Sequence, residues 1–173
     1  MKKNKAIYAG VAALAIAVGV FAGVRKHEPA AAGEAATAQL FAQTLKDAAG
    51  TPQNLAQFQG KPLVVNFWAT WCAPCVQEMP ELSALQTELA ASKVQIIGIG
   101  IDSPSNIAEF AAKYKISYPL LVAGMEGSDL SRKLGNQAGG LPFTVLIGAD
   151  GHVRKAYLGR LKMNELRADL GRL

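Results

Sequence analysis

Cys72 and Cys75 are the only two cysteines in the 173-residue chain, three positions apart in Trp71-Cys72-Ala73-Pro74-Cys75. Two thiols at this spacing on a helix start can close a small disulfide ring. The first turn of a helix presents unpaired N–H groups and the positive end of the macrodipole. A thiolate held there is stabilised, so its acidity moves toward neutral pH and the nucleophile is populated. The chemistry this predicts is thiol–disulfide exchange. Cys72, at the loop end, is the exposed attacking thiol, and Cys75, one turn inside, is the shielded resolving thiol. Pro74 stiffens the dipeptide between them and suits the first helical turn. Haem attachment needs a histidine directly after the second cysteine, and Val76 stands there. A zinc site needs two further ligands, and neither His27 nor His152 has ligand spacing. Two alternatives stay open. A structural disulfide is weakened because so short a loop removes little unfolded-state entropy. A thiol-dependent copper carrier lacks a placed histidine or methionine.

The elements that must position the pair are legible around it. Leu63-Val64-Val65-Asn66-Phe67-Trp68 is an apolar run with one polar residue, as expected of a strand buried on both faces. After Cys72, Met79, Leu82, Leu85 and Leu89 recur at helical spacing, with Pro80 set to kink the helix. Val94–Ile101 reads as a second central strand. Ser103-Pro104 opens a helix whose buried face is Ile107, Phe110, Ala111 and Tyr114. Ser128 or Asp129 caps a short helix that stops at Gly135. Thr144–Ile147 and His152–Leu158 flank an Asp150-Gly151 hairpin turn, and Asn164–Leu173 closes the chain as a helix. Toward the amino end, Gln39–Lys46 reads as a short strand and Leu55–Gln59 as a helical turn. Strand and helix alternate without a repeat, the pattern of an α/β fold.

The amino-terminal segment has a different character. Lysines occupy three of the first five positions, and residues 6–24 carry no charge before Arg25 and Lys26. Nineteen apolar residues nearly span the roughly 30 Å hydrocarbon core of a bilayer. The expected organisation is a cytoplasmic basic tip at 1–5, a transmembrane signal-anchor helix at 6–24, an alanine-rich linker at 25–38 and an α/β domain at 39–173. A cleaved signal peptide ending near Val20-Phe21-Ala22 is the alternative. In both readings the domain leaves the cytoplasm, because the amino-terminal lysines stay inside. The predicted location is the inner membrane, single-pass, with the domain facing the periplasm or extracytoplasmic space. The net charge of +5 does not point to nucleic acid. Residues 1–37 hold five basic and two acidic residues, and residues 38–173 hold thirteen and eleven, so the body is nearly neutral.

Phe67-Trp68-Ala69-Thr70-Trp71-Cys72-Ala73-Pro74-Cys75, continued by Val76-Gln77-Glu78-Met79-Pro80, resembles the active-site stretch of the thioredoxin superfamily. The continuation is similar to the membrane-anchored, extracytoplasmic oxidoreductases of the TlpA/ResA type. Gly140-Leu141-Pro142-Phe143-Thr144 resembles their cis-proline loop. The resemblance implies a central mixed sheet flanked by helices, with Pro142 in cis beside the cysteines. It implies a client-docking surface of Trp71, Pro74, Leu141 and Pro142, with the Leu141 backbone pairing with a client strand. Classical thioredoxins carry a buried aspartate where Asn66 stands here. Glu78, one turn after Cys75, is the candidate replacement as proton acceptor. The competing reading of Glu78 is a surface residue that favours the helix start by charge. Trp68 and Phe143 are expected in the core, and Asp102 at the start of a turn. No cofactor is expected beyond the redox-active cysteine pair, and no metal. Expected partners are disulfide-bearing client proteins, such as apocytochrome c or copper-site proteins, and a membrane thiol-reductant donor. The Ala-Pro dipeptide resembles that of reductants. A thiol peroxidase of the same fold needs Thr-x-x-Cys, whereas Thr70 stands two residues before Cys72. A copper- or client-binding module without turnover is the other rival.

Overall fold

The computed structural model describes residues 33–173. The basic tip 1–5, the apolar segment 6–24 and linker residues 25–32 lie outside the described residues. Among the described residues, no helix is long and apolar enough to cross a membrane. The strand that precedes the cysteines sets the architecture. All six residues of Leu63–Trp68 are buried, each large apolar side chain contributing roughly 1.5–3 kcal/mol. In chain order the elements are a helix α1 over 33–41, β1 (Thr44–Asp47), β2 (Pro52–Asn54), a 3-10 turn (Leu55–Phe58) and β3 (Leu63–Trp68). There follow α2 (Ala73–Glu88), β4 (Gln95–Gly100), α3 (Pro104–Tyr114), β5 (Leu120–Val122) and α4 (Glu126–Lys133). The chain closes with β6 (Phe143–Ile147), β7 (Val153–Leu158) and α5 (Met163–Leu170).

The seven strands form one mixed sheet in the order β2-β1-β5-β4-β3-β6-β7. β3 pairs in parallel with β4 and antiparallel with β6. Its alternating side chains feed two cores. Val64 and Trp68 pack with Met79, Leu82 and Leu85 of α2, Ile107 and Phe110 of α3, and Leu166 and Leu170 of α5. Leu63, Val65 and Phe67 pack on the other face with Leu40 of α1 and Leu130 of α4. Helices therefore flank the sheet on both faces. Ser103 caps α3 as expected, its hydroxyl accepting from Asn106 N at 3.2 Å.

Several expectations need correction. Residues 33–38 were expected in the linker and 39–41 in a strand, yet 33–41 are helical. Alanine favours helix intrinsically, and Ala36, Leu40 and Phe41 bury on the β3 side of the second core. The first strand thus starts at Thr44. α4 begins at Glu126, so Ser128 and Asp129 lie inside its first turn and Met125 takes the cap position. Tyr114 is exposed and stacks on Phe110 with ring centroids 4.4 Å apart.

Candidate active site

The parallel pair β3–β4 ends at one side of the sheet, and the loop after β3 carries the cysteines. Cys72 occupies the N-cap of α2 with extended backbone (φ −90°, ψ 97°), and a proline sits in the first helical turn. Cys72 and Cys75 are joined, with an S–S distance of 2.05 Å and Cα atoms 5.3 Å apart. The structure is thus of the oxidised state. Cys72 is 6% exposed and Cys75 is fully buried. Cys72 is therefore the solvent-side sulfur, although the expectation of an openly exposed thiol does not hold for the disulfide form. Both sulfurs sit within the α2-side apolar core. Trp71 is 69% exposed and forms an apolar ledge beside Cys72. Pro74 is exposed on the same turn.

Glu78 is not on the surface: it is fully buried. One turn after Cys75, its side chain enters the sheet side of α2. Asn66 Nδ2 donates to Glu78 Oε1 at 2.8 Å, and the Leu161 backbone N–H donates to Oε2 at 2.8 Å. Burial pushes its pKa up to about 7, against the opposing pull of the Leu161 and Asn66 hydrogen bonds and the Arg160 charge; Glu81 adds to the rise. A carboxyl group so placed can hold or release a proton near neutral pH. Asn66 also donates to Thr144 Oγ1 at 3.0 Å, which ties β3, α2 and β6 together under the cysteines.

The Leu141–Pro142 peptide bond is cis. The β3–β6 register pairs Phe67 with Phe143, which brings residue 142 to the end of β3 that leads into the cysteine loop. Pro142 is buried, and half-buried Leu141 packs against the core that contains both cysteines. Two contacts hold this loop. Asn136 Nδ2 donates to the Gly140 carbonyl at 2.9 Å, and the Gly159 N–H donates to the Pro142 carbonyl at 2.8 Å. The Leu158 side chain, 59% exposed, lies against Gly140.

Asp102 does more than begin a turn. Its Oδ2 accepts from both the backbone N–H and the hydroxyl of Thr70, and Oδ1 accepts from Ser103 N and Asn106 Nδ2. Partial burial pushes its carboxyl up, but these hydrogen bonds outweigh it and hold the pKa below the ordinary aspartate value. The loop that carries Cys72 is thus stapled to the loop after β4. The register pairs Trp68 with Gly100, so residues 70 and 102 emerge side by side. The parts of Thr144 and of the Leu161 amide carried no sequence signal, because each reaches the site through tertiary folding alone. Among the described residues, no group of three or more His, Cys, Asp or Glu residues is placed to hold a metal ion.

Residues 31–170 match the Redoxin family. The chain belongs to that family. Among curated proteins, this Redoxin chain is 29% identical over 127 residues to the thiol-disulfide oxidoreductase ResA of Geobacillus thermodenitrificans, covering 73% of this chain and 71% of that protein. It is 28% identical to the thioredoxin-like protein YneN of Bacillus subtilis over 131 residues, covering 73% and 74%. Among solved structures, it is similar to a thioredoxin-family thiol:disulfide interchange protein from Chlorobium tepidum. That match has 27% identity and a TM-score of 0.65, covering 75% of this chain and 91% of the other. The Redoxin chain thus has a thioredoxin-like α/β fold, with its cysteine pair at the start of the helix after the central strand.

Proposed function

We propose that the protein is an extracytoplasmic thiol–disulfide oxidoreductase that reduces disulfides in client proteins. The observation that carries this reading is the Cys72–Cys75 disulfide at the mouth of α2, with a buried carboxyl group, Glu78, one helical turn after the inner cysteine. In the reduced protein, the Cys72 thiolate attacks one sulfur of a client disulfide. A client thiolate leaves, and a mixed disulfide forms. Cys75 passes its proton to the Glu78 carboxylate and attacks Cys72 Sγ, which releases the second client thiolate. The client gains two electrons and, with its thiolates protonated, two protons. The enzyme is left with the Cys72–Cys75 bond. A membrane dithiol donor returns the two electrons, becoming a disulfide itself, and two protons restore the thiols.

Trp71, Pro74, Leu141 and Pro142 offer the docking ledge, on which an extended client segment pairs with the Leu141 backbone. Apocytochrome c and copper-site proteins suit this chemistry, because their cysteines must be reduced before haem or metal is attached. The apolar segment 6–24 supports an inner-membrane anchor with the domain outside the cytoplasm. A peroxidase reading is disfavoured because Ala69, not threonine, stands three residues before Cys72.

Trapping tests the reading. A Cys75→Ser variant stops after the first attack, so cells expressing it should accumulate mixed disulfides through Cys72. Mass spectrometry of the trapped species names the clients. The reading fails when Cys75→Ser traps no more protein than Cys72→Ser does.

A further inference from the structure

The turn that delivers Cys72 to α2 is short. β3 ends at Trp68 and α2 begins at Ala73, and the Cys72 N–H donates to the Ala69 carbonyl at 3.2 Å. Thr70 and Trp71 are the two central residues of this β-turn, so one turn presents both the docking tryptophan and the attacking sulfur. Closing a β-turn uses its first carbonyl and its last N–H, which leaves the Thr70 N–H no partner within the turn. Asp102 Oδ2 accepts that N–H at 3.1 Å and also accepts from the Thr70 hydroxyl. Among the described residues, Asp102 is the one side chain that hydrogen-bonds to residues 69–72 from outside them. Its own place is fixed from two sides. The Ile101 N–H donates to the Trp68 carbonyl at 2.8 Å, which continues the β3–β4 ladder to the residue before it. Oδ1 accepts from the Ser103 N–H and from Asn106 Nδ2, both at 2.7 Å, at the start of α3. One carboxylate therefore ties the entrance of α2 to the entrance of α3.

The aim of this turn matters for the sulfur. A thiolate at a helix start is stabilised by the N–H groups of the first turn, an effect that fades within that turn. Few such groups are available to Cys72. Pro74 has no N–H, and the Val76 N–H donates to the Cys72 carbonyl at 3.1 Å. A small rotation of the turn thus takes the sulfur away from most of its stabilisation. We infer that Asp102 is a positioning residue for the Cys72 thiolate: by anchoring Thr70 it holds the Ala69–Cys72 turn so that the sulfur faces the mouth of α2. The inference rests on the reading of Cys72 as the attacking thiol.

Positioning and charge predict opposite signs. A negative charge anchored two residues from Cys72 disfavours a second one on the sulfur, so removing it by charge alone would make the thiol more acidic. Releasing the turn makes the thiol less acidic. The Asp102 carboxylate is half-buried and faces four donors, so its field at the sulfur is damped and the loss of aim outweighs it. The other charged and titratable groups around the turn stay in place. Glu109, Lys113 and Tyr114 of α3 line the groove shared with Thr70 and Val76. Glu78 lies one turn after Cys75 on α2, and Glu81 is paired with Arg160 at 2.6 Å. The cis-proline loop, residues 139–143, carries no titratable side chain. A difference between variant and parent therefore isolates Asp102.

The test is the pH profile of Cys72 alkylation by iodoacetamide in the reduced full chain, with the adduct mapped to Cys72 by mass spectrometry. In Asp102→Ala the midpoint should rise by about half a pH unit or more, a partial loss of what a helix start gives an anion. An unmoved or lowered midpoint overturns the inference. Asp102→Asn removes the charge and keeps a side-chain oxygen for Thr70, and Asn106 can turn its amide to meet the new N–H₂. Its midpoint should return to the parent value or fall below it; a rise equal to that of Asp102→Ala overturns the anchoring. Should Asp102→Ala not fold, Asp102→Ser decides by the same criterion, because its hydroxyl can still accept from the Ser103 N–H but does not reach Thr70. The parent profile separates this inference from the reading beneath it. A parent midpoint at or above the roughly 8.5 of free cysteine removes Cys72 as an activated thiol, and the inference with it. A depressed parent midpoint that Asp102→Ala does not raise removes the inference alone.

Discussion

Replacing Glu78 by glutamine should change stability and catalysis in opposite senses. Burial raises the Glu78 pKa from 4.5 to about 7 in the folded protein. A difference of about 2.5 pH units corresponds to about 3 kcal/mol. The sign follows from proton counting. Between these two values the folded state holds a proton that the unfolded state has released, so stability falls as pH rises. The favourable contribution is complete below pH 4.5 and is lost by the time pH passes about 7. Glutamine does not titrate. The stability of Glu78→Gln minus that of the parent should therefore climb by about 3 kcal/mol between pH 4.5 and pH 8. Glutamine mimics the protonated acid in shape but places an N–H₂ near other donors. Asn66 can turn its amide and present Oδ1, which has no partner now, so the hydrogen bonding is recoverable.

Urea unfolding at half-unit pH steps measures this difference directly, and differencing cancels the other carboxylates. Stopped-flow oxidation of the reduced protein by a model disulfide measures the exchange. Loss of a general base typically slows the assisted step by about 10²–10⁴. A flat difference curve would refute the reasoning about burial. Unchanged oxidation kinetics would refute the reasoning about the proton.

Three other outcomes are expected. Trp71→Ala removes a side chain that is 69% exposed, so stability should move by less than about 0.5 kcal/mol. Its kcat/KM toward protein disulfides should fall about tenfold or more, as for a central interface tryptophan, while oxidation by a small disulfide reagent stays the same; equal losses with both would remove Trp71 from docking. Asp102→Ala takes the acceptor away from Thr70 and Asn106 and should lower the urea midpoint by the equivalent of about 1–3 kcal/mol. Because the Asp102 pKa is depressed, that contribution is present above the ordinary aspartate value and fades as pH falls below it; an acid-independent difference would refute the assignment. Cell fractionation of the full chain should place it in the membrane pellet, and removing residues 1–24 should abolish both membrane retention and export. Recovery of the full chain in the cytosol would sink the anchor.

The sequence carried the site better than it carried the domain's borders. Leu63–Trp68 is uniformly apolar apart from Asn66, and such a run has few homes other than a strand between two layers. The cysteine spacing and the Ser103-Pro104 cap are local signals, and local geometry followed them. α1 has no legible pattern in the sequence, because its apolar burial rests on Ala36, Leu40 and Phe41 alone. β5 is three residues long, too short for alternation to register. Glu78 shows the other limit. Its helical offset from Cys75 is readable, but the amide that meets it belongs to Leu161, 83 positions away. Nothing local distinguishes a glutamate that will be sealed in from one that stays wet.

Glu78, the proposed acid–base group, is walled off from the proposed docking face. Trp71 and Leu158 stand in solvent, whereas Glu78 and Asn66 are enclosed. Surface substitutions are usually cheap in folding free energy, while altering the enclosed pair disturbs a packed network. Recognition can therefore drift, through changes on the rim, without resetting how the sulfurs trade protons. A lineage of such proteins could acquire new targets one surface residue at a time and keep the same engine underneath.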